Sequence, residues 1–309
     1  MRDGRPWPRI SIVTPVRNGA ESVEETIRSV LLQGYPDLEY YVVDGASTDG
    51  TLDIVKEYAP WLSGWASESD SGMSEAINKG WRRATGEIIA WLNADDTYRS
   101  GTLSDVACVF GANPKATLVY GQVSKSSGCG PAILVGEPYN LLECLKNALL
   151  ARISQPGTFY SRLAVTRVGW LDESLHDSMD RDLLQRLAAI GQVVFVPKTW
   201  ACFRIRAGQL SDQHERDPSF VLYREYLSAL HGLYAIPGLS DEVRRLRRRA
   251  EAAWRMRIAK SARQRGFYTE ALWNLALAST YPAIFAEPQW RSVFLDAVLG
   301  QRGRRMLGL

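Results

Sequence analysis

The chain lacks the sequence features of membrane-spanning, secreted and zinc-binding proteins. No apolar run approaches the roughly 18–20 residues that a transmembrane helix needs. No apolar segment follows the first residues, so we expect no secretory signal. The four cysteines show no C-x-x-C spacing and the three histidines no ligand spacing, which indicates neither a disulfide framework nor a zinc site. We therefore expect a protein of the reducing cytoplasm.

The composition is that of an ordinary globular protein with an uneven charge distribution. Of its 309 residues, 46% are hydrophobic and 23% are charged. The net charge is only +3, but residues 241–309 contain 14 Lys and Arg against 6 Asp and Glu. A basic segment behind a more acidic body favours contact with an anionic surface.

The first 125 residues alternate strand and helix patterns, which is typical of βαβ units and a largely parallel sheet. The helix at 22–32 has its apolar residues on one face, and Ser22 with Glu25 fits a capping box. After about residue 217 the pattern is mainly helical. Strands are predicted at 10–14, 40–43, 64–67, 87–92, 117–123 and 193–196, and helices at 22–32, 51–58, 73–84, 103–110, about 139–151 and 180–190.

An oxygen-rich cluster of Asn93, Asp95 and Asp96 follows the predicted buried strand at 87–92. Adjacent carboxylates can hold Mg²⁺, which takes few protein ligands and completes its shell with substrate phosphates and water. Open α/β sheets bind their ligands at this end of the strands. The residues alone fit equally well as caps of a helix near Ser100.

Four motifs in order resemble glycosyltransferase family 2, whose members are inverting enzymes of the GT-A fold that use nucleotide-sugars. They are T-P-V-R-N-G at 14–19, V-V-D-G-A-S-T-D-G-T at 42–51, D-S-G-M-S-E-A-I-N-K-G at 70–80 and G-E-I-I-A-W-L-N-A-D-D at 86–96. The resemblance is strong over 9–100 and weaker over 150–212.

The resemblance implies an α/β, Rossmann-like fold: a mostly parallel sheet flanked by helices, followed by a helical C-terminal extension. The glycosyltransferase domain would cover 1–215, with a nucleotide-sugar half at about 9–125 and an acceptor half at about 126–215. The basic helical extension would cover 216–309.

The resemblance also implies a nucleotide-sugar site. Arg17 would reach a diphosphate, and Asp44 corresponds to a base-binding aspartate, although D-G-A-S here replaces the family's D-D-G-S. Asp44 also fits a turn before Gly45, and Asn78 a helix end before Gly80. The implied nucleotide-sugar residues are Thr14, Pro15, Arg17, Asp44, Asp70, Asn78, Asn93, Ala94, Asp95 and Arg206.

Asp95 and Asp96 match the family's metal motif, which implies Mg²⁺ or Mn²⁺ with Asp95 as the main direct ligand. Asn93 occupies the first position of that motif and brings a carbonyl oxygen but no charge. Arg206 stands where the family has a histidine. A guanidinium cannot ligate a metal, but it can neutralise a leaving diphosphate.

An inverting transfer needs one carboxylate that takes the proton of the acceptor hydroxyl. The S-M-D-R-D-L-L segment at 178–184 resembles the family's E-D-x-D-L, which assigns Asp180 as the base and Asp182 as a supporting acceptor-side residue. The resemblance of Q-P-G-T-F-Y at 155–160 places Gln155 on the acceptor side. The acidic residues alone fit equally well as the first turn of a helix.

The segment at 242–263 has an apolar stripe opposite a face of arginines. It fits peripheral contact with an anionic membrane at the inner face of the cell, or packing on the body or on a second subunit of a homo-oligomer. For the packing alternative we expect Trp254, Trp273 and Leu275 in a local helical core. No basic-aromatic groove pattern indicates nucleic-acid binding.

The leading hypothesis is a metal-dependent hexosyltransferase of bacterial polysaccharide or glycolipid assembly. It would use a UDP-, GDP- or dTDP-sugar and a glycan or lipid-linked acceptor. A sugar nucleotidyltransferase should carry a Gly-rich basic loop where T-P-V-R-N-G stands. A catalytically inactive nucleotide-sugar-binding or scaffold module stays open, because Asn93, Met179 and Arg206 depart from the family pattern.

Overall fold

The chain forms two compact units in a computed structural model. The first comprises 1–139 and 152–209, and the second 140–151 and 210–309. The helix predicted at about 139–151 therefore falls in the second unit. The structure describes residue 4 and residues 6–126, 132–149, 152–205, 221–286 and 288–306.

The first half of the first unit is a parallel sheet with a helix after each of its first three strands. Strand β1 pairs in parallel with β2 and β4, and β2 pairs with β3. The predicted βαβ alternation is confirmed. The elements are β1 (Ile10–Val16), α1 (Val23–Leu31), β2 (Leu38–Asp44), α2 (Thr51–Tyr58), β3 (Gly64–Ser67), α3 (Met73–Arg83) and β4 (Ile88–Trp91).

The second half of the sheet mixes parallel and antiparallel pairs in the order β3-β2-β1-β4-β8-β6-β9-β5, with β7 paired to β6. Strands β6 and β9 are parallel, whereas β8 runs antiparallel to both β4 and β6. The elements are β5 (Thr97–Tyr98), α4 (Thr102–Ala112), β6 (Ala116–Ser126), β7 (Ile133–Val135), α5 (Leu141–Asn147, in the second unit), β8 (Thr158–Ser161), α6 (Arg162–Val168), α7 (Met179–Ile190) and β9 (Gln192–Arg204).

The capping box predicted at Ser22 is wrong. The Ser22 side chain makes no capping hydrogen bond. The carbonyl of Gly19 instead accepts the backbone N–H groups of Ser22 and Val23, at 3.0 and 2.9 Å. A backbone turn therefore satisfies the start of α1 without the hydroxyl.

Apolar strands build the core that holds the carboxyl edge of the sheet in place. All residues of β1 and β4 are buried. Trp91 of β4 stacks on Tyr160 of β8, with ring centroids 5.5 Å apart, and Trp81 of α3 packs edge-on against both. This packing makes the end of β4, where the acidic cluster begins, a rigid point of the sheet.

The second unit is helical, with α10 at its centre. Helix α10 packs against α5, α8, α11 and α12, and its residues Ala250, Trp254, Ile258 and Ala262 are buried. The apolar stripe predicted at 242–263 therefore packs inside this unit. The helices are α8 (Val221–Ala235), α9 (Asp241–Arg245), α10 (Arg247–Gln264), α11 (Tyr268–Ala278) and α12 (Pro288–Met306).

The three residues expected in the core of this unit differ in their burial. Trp254 and Leu275 are buried, but Trp273 is 62% exposed, so its assignment to the core was wrong. Along α11 the apolar residues occupy more than one face, and only one face meets α10 and α12. Within the described residues, no helix combines the length and apolar character that crossing a bilayer requires.

Candidate active site

The loops that follow β1 and β2 are bound to each other at the carboxyl edge of the sheet. The Asn18 N–H donates to the Ser47 hydroxyl at 2.8 Å, and the Thr48 N–H donates to Asn18 Oδ1 at 2.8 Å. The Gly19 N–H donates to the Thr51 hydroxyl, also at 2.8 Å. These three hydrogen bonds fix the two loops to each other.

The predicted nucleotide-sugar residues of β1 differ in their accessibility. Thr14 is fully buried, and its hydroxyl bonds to the Tyr40 hydroxyl at 2.9 Å. Pro15 is buried in the strand, whereas Arg17, directly after it, is exposed. Of these three side chains, the Arg17 guanidinium is the one available to a dissolved anion.

Asp44 is buried at the end of β2 and braces the turn that follows it. Its carboxylate accepts the Ser67 hydroxyl at 2.6 Å, the Ser47 N–H at 3.1 Å and the Ser47 hydroxyl. The turn role weighed from the sequence is therefore present. The base-binding role of Asp44 stays a prediction.

Asp70 approaches the residue that replaces the second aspartate of the family motif. A Cβ built on Gly45 would lie 2.7 Å from Asp70 Oδ2 and 3.5 Å from the Cβ of Arg17. Asp70 Oδ1 accepts the Gly72 N–H at 3.1 Å, which directs the carboxylate from the start of α3. Gly45 thus leaves the space into which Asp70 reaches, and three predicted loops converge here.

Asn78 lies in the middle of α3 and not at a helix end. Its amide donates to the Leu171 carbonyl at 2.9 Å and to Glu173 Oε1 at 2.8 Å, while its oxygen accepts the Leu171 N–H at 3.1 Å. It connects α3 to the segment before α7. Its contact with a nucleotide-sugar stays a prediction.

The acidic cluster is fixed by the elements around it. The Asp96 carbonyl accepts the Thr26 hydroxyl of α1 at 2.8 Å, and Asp96 Oδ1 accepts the backbone N–H of Arg204 at 3.3 Å. Helix α4 begins after Gly101 without a side-chain cap, so the capping alternative for the two aspartates is excluded. Ala94 is partly buried beside Gly19.

Among the residues that the structure describes, two buried oxygens of the cluster have no hydrogen-bond partner: Asn93 Oδ1 and Asp96 Oδ2. Burial raises the pKa of Asp96 well above its usual value, and the neighbouring Asp95 raises it further. Partnerless buried oxygens are costly, and a hard divalent cation satisfies them. No three His, Cys, Asp or Glu side chains converge as a metal cage among the described residues. The donor set fits Mg²⁺ or Mn²⁺ that takes its other ligands from a diphosphate and water.

Lys125, near the end of β6, belongs to this site although nothing in the sequence singled it out. Its ammonium lies 4.6 Å from the Phe203 ring centroid of the paired strand β9. Burial lowers the pKa of Lys125, while Asp96 and Asp180 raise it. The charge of Lys125 therefore acts on both Asp96 and Asp180, the predicted metal ligand and the predicted base.

Asp180 lies in the first turn of α7 and is partly exposed. Burial of its carboxylate raises its pKa, and Arg181 and Lys125 lower it. Its charge also acts on the Tyr160 hydroxyl. A carboxylate whose pKa is raised by burial, on a residue that is partly exposed, has the properties of a general base.

Gln155 joins the acceptor-side segment to the end of β4. Its amide donates to the Trp91 carbonyl at 2.8 Å, and its own buried oxygen has no partner in the described part of the chain. That oxygen can accept a hydrogen bond from a bound hydroxyl. Gln155 thus contacts the last residue of β4 directly, two residues before Asn93.

Asp182 forms a buried ion pair with Arg186. Its carboxylate accepts the Arg186 Nε–H at 2.9 Å, and the two side chains are 3% and 7% exposed. Arg186 also donates to the carbonyls of Val168, Gly169 and Trp170. Burial raises the pKa of Asp182, and Arg186 lowers it. The pair holds the chain entering α7, so Asp182 positions the helix that carries Asp180.

The end of β9, two residues before Arg206, contacts the acidic cluster through Arg204. The Arg204 backbone contacts Asp96, and its guanidinium forms an ion pair with Glu25 of α1. The Ile205 N–H donates to the Ser126 carbonyl at 2.9 Å. Arg206, the residue predicted to contact the diphosphate, lies outside the described residues.

The fold of the first unit is a GT-A fold, with a curled α/β sheet whose carboxyl edge carries the candidate site. TarS 1–349 from Staphylococcus aureus superposes with a TM-score of 0.69 at 17% identity, covering 97% of this chain and 92% of that one. A mannosyltransferase from Pyrobaculum calidifontis in complex with GDP-Man and Mn²⁺ gives a TM-score of 0.60 at 18% identity, covering 99% and 91%. At these identities the likeness shows the fold alone.

The sequence profile of Glycosyl transferase family 2 matches residues 11–168, about half of the chain, and the chain belongs to this family. It is 38% identical over 120 residues to a PGL/p-HBAD biosynthesis glycosyltransferase of Mycobacterium bovis, covering 38% of this chain and 47% of that protein. It is 37% identical over 99 residues to the putative teichuronic acid biosynthesis glycosyltransferase TuaG of Bacillus subtilis, covering 31% and 39%. The chain thus matches less than half the length of these relatives.

Proposed function

We propose that the chain is an inverting, metal-dependent glycosyltransferase of bacterial glycan assembly, which moves a sugar from a nucleotide-diphospho-sugar to an acceptor hydroxyl. The proposal rests on the buried oxygens Asn93 Oδ1 and Asp96 Oδ2, which have no hydrogen-bond partner within the described ranges. The charge of Lys125 acts on both Asp96 and Asp180 in the same site. Family membership and the relatives named for glycan biosynthesis support it.

The donor class is supported by the solved structures of the same fold. One contains GDP-Man with Mn²⁺, and another, of TarS 1–349, contains UDP-GlcNAc. Arg17 and Asp70 both lie close to Gly45, the first residue after β2. In the proposed site Arg17 binds the diphosphate, and Asp70 accepts hydrogen bonds from the donor.

In the proposed reaction the acceptor oxygen bonds to the anomeric carbon while the bond from that carbon to the diphosphate oxygen breaks. Asp180 takes the proton of the acceptor hydroxyl, and the nucleoside diphosphate leaves with the bonding electron pair. Gln155 orients the hydroxyl. A divalent cation held by Asp95, Asp96 and the Asn93 oxygen would supply positive charge for the diphosphate.

The test is a panel of UDP-, GDP- and dTDP-sugars with Mn²⁺, in which turnover and calorimetric binding are measured in parallel. We expect Asp180→Asn to lower kcat by roughly 10²–10⁴ while donor affinity stays within twofold or so, because a general base acts on the chemical step. The matched control is Asp53→Asn, a carboxylate 84% exposed on α2.

Unchanged turnover in Asp180→Asn would remove Asp180 as the base. Tight, metal-dependent donor binding without turnover with any acceptor would identify a nucleotide-sugar-binding module instead. No donor binding at all would contradict the proposal as a whole.

A further inference from the structure

One face of α11 in the second unit is apolar, aromatic and open to solvent. Tyr268 is 55% exposed, and Leu272 and Trp273 are each 62% exposed. Thr269 and Ala276 lie exposed on the same face, as helical spacing requires. The opposite face, with Ala271, Leu275 and Ala278, is buried against the other helices of the unit.

The residues at the start of α11 continue this face with aromatic and basic side chains. Phe267 is 39% exposed. The Arg263 guanidinium lies 4.3 Å from the centroid of the Tyr268 ring, and Arg265 is exposed on the turn between α10 and α11. Glu270, the acidic residue of α11, is only partly exposed, and its carboxylate accepts the Asn274 amide at 3.0 Å. The open face itself carries no acidic side chain.

We infer that this face, defined by Phe267, Tyr268, Leu272 and Trp273 with Arg263 at its edge, docks on an anionic lipid surface. Tryptophan and tyrosine rings are suited to the boundary between headgroups and acyl chains, where an apolar body and a polar tip are both satisfied. Arginine at the edge complements anionic headgroups.

A second copy of the chain fits this face less well than a lipid surface. The side chains of the face belong to one helix and to Phe267, the residue directly before it. A copy placed against the same face would bring Arg263 to a surface without an acidic partner. The apolar stripe of 242–263 is buried inside the unit and is therefore not available to a lipid surface, whereas the face on α11 is exposed.

The experiment is co-sedimentation of the full chain with vesicles of phosphatidylcholine alone and of equal parts phosphatidylcholine and phosphatidylglycerol. We expect binding to the anionic vesicles that weakens as salt is added. The double variant Leu272→Ser/Trp273→Ser should lower the partition coefficient about tenfold or more, since two large apolar side chains no longer enter the interface. Arg263→Gln should reduce the preference for anionic vesicles.

The matched control is Trp61→Ser/Leu163→Ser, which removes a tryptophan 65% exposed and a leucine 81% exposed on the first unit. It should bind as the unchanged chain does, and donor binding should be equal in all variants. Absence of vesicle binding, or equal loss in the control, would overturn the inference. So would dimerisation without vesicles that is lost in Leu272→Ser/Trp273→Ser, because it would assign the face to a second copy.

Discussion

Lys125 shows how one side chain can couple two parts of a site. Its positive charge favours the ionised form of both Asp96, in the acidic cluster after β4, and Asp180, in the first turn of α7. Asp180 can accept a proton only when it is ionised. Burial raises the pKa of Asp180 and therefore works against the proposed reaction at low pH. The charge of Lys125 partly offsets this effect on the pKa.

We predict that Lys125→Met moves the acidic limb of the kcat/KM profile to higher pH. Removing the cation raises the pKa of Asp180 further, so the base becomes protonated at a pH where the unchanged enzyme is still active. The measurement is kcat/KM against pH with a saturating metal concentration. Lys115→Met, an exposed lysine just before the same strand, should leave the profile unchanged. A uniform loss of rate with an unshifted limb would contradict the prediction.

Asp96 illustrates a residue retained at a cost to stability. Because its pKa is raised in the folded state, the folded protein binds this proton more tightly than the unfolded chain does. The stability that this difference contributes is fully present at pH values below the pKa of Asp96 in the unfolded chain. It is lost as the pH rises through the pKa of Asp96 in the folded protein. A divalent cation at the site would restore it at neutral pH.

We predict that Asp96→Asn raises the free energy of unfolding of the metal-free protein by about 1–2 kcal/mol at pH 8, with little effect at pH 3. The same change should abolish the stabilisation that Mn²⁺ gives the unchanged protein. Denaturant unfolding with and without Mn²⁺ measures both effects. Equal stabilisation by Mn²⁺ in the variant would show that the cation binds elsewhere.

Among the elements, α7 depends on a buried ion pair for its position. Arg186 connects Asp182 in the same helix to three carbonyls of the segment before it. Removing one partner of a buried pair leaves the other charge uncompensated, which costs about 3–5 kcal/mol. The first turn of α7 carries Asp180, so we expect the pair also to affect the position of this proposed base.

We predict that Asp182→Asn lowers the free energy of unfolding by about 3 kcal/mol and lowers kcat more than it weakens donor binding. Lys56→Gln, which breaks the exposed Lys56–Asp53 pair, should change stability by less than about 0.5 kcal/mol. Chemical unfolding and steady-state kinetics test the two parts. A stability as high as that of the unchanged protein would show that Asp182 is not a structural partner of Arg186.

The elements that could be predicted are those whose burial creates a periodic pattern. The helix at Thr51–Tyr58 and the strand at Gly64–Ser67 match their predicted bounds. Strand β5 has only two residues, and the burial of β8 does not alternate along the strand as that of Gly64–Ser67 does. Neither carries a recognisable pattern, and pairing with distant strands stabilises both. For the same reason Lys125 could not be found, because its place in the site depends on the pairing of β6 with β9.

At the scale of the molecule, the chain has two units with separate cores. The first has a core between its sheet and helices, and the second packs its helices around α10. The candidate site residues described by the structure all lie in the first unit. The sequence could predict a catalytic body with a helical extension, but helical periodicity could not show which face of α11 points inward, because apolar residues lie on several of its faces.

We predict that a nucleoside diphosphate with Mn²⁺ stabilises one unit and not the other. A ligand that binds only the folded first unit raises its free energy of unfolding by RT ln(1 + [L]/Kd), about 2.7 kcal/mol at a hundredfold excess over Kd. Calorimetry should therefore show a transition that moves to higher temperature with ligand and a second that does not move. Asp96→Asn should remove the movement. A single transition that shifts as a whole would show that the two units unfold as one cooperative body, with the ligand energy shared across it.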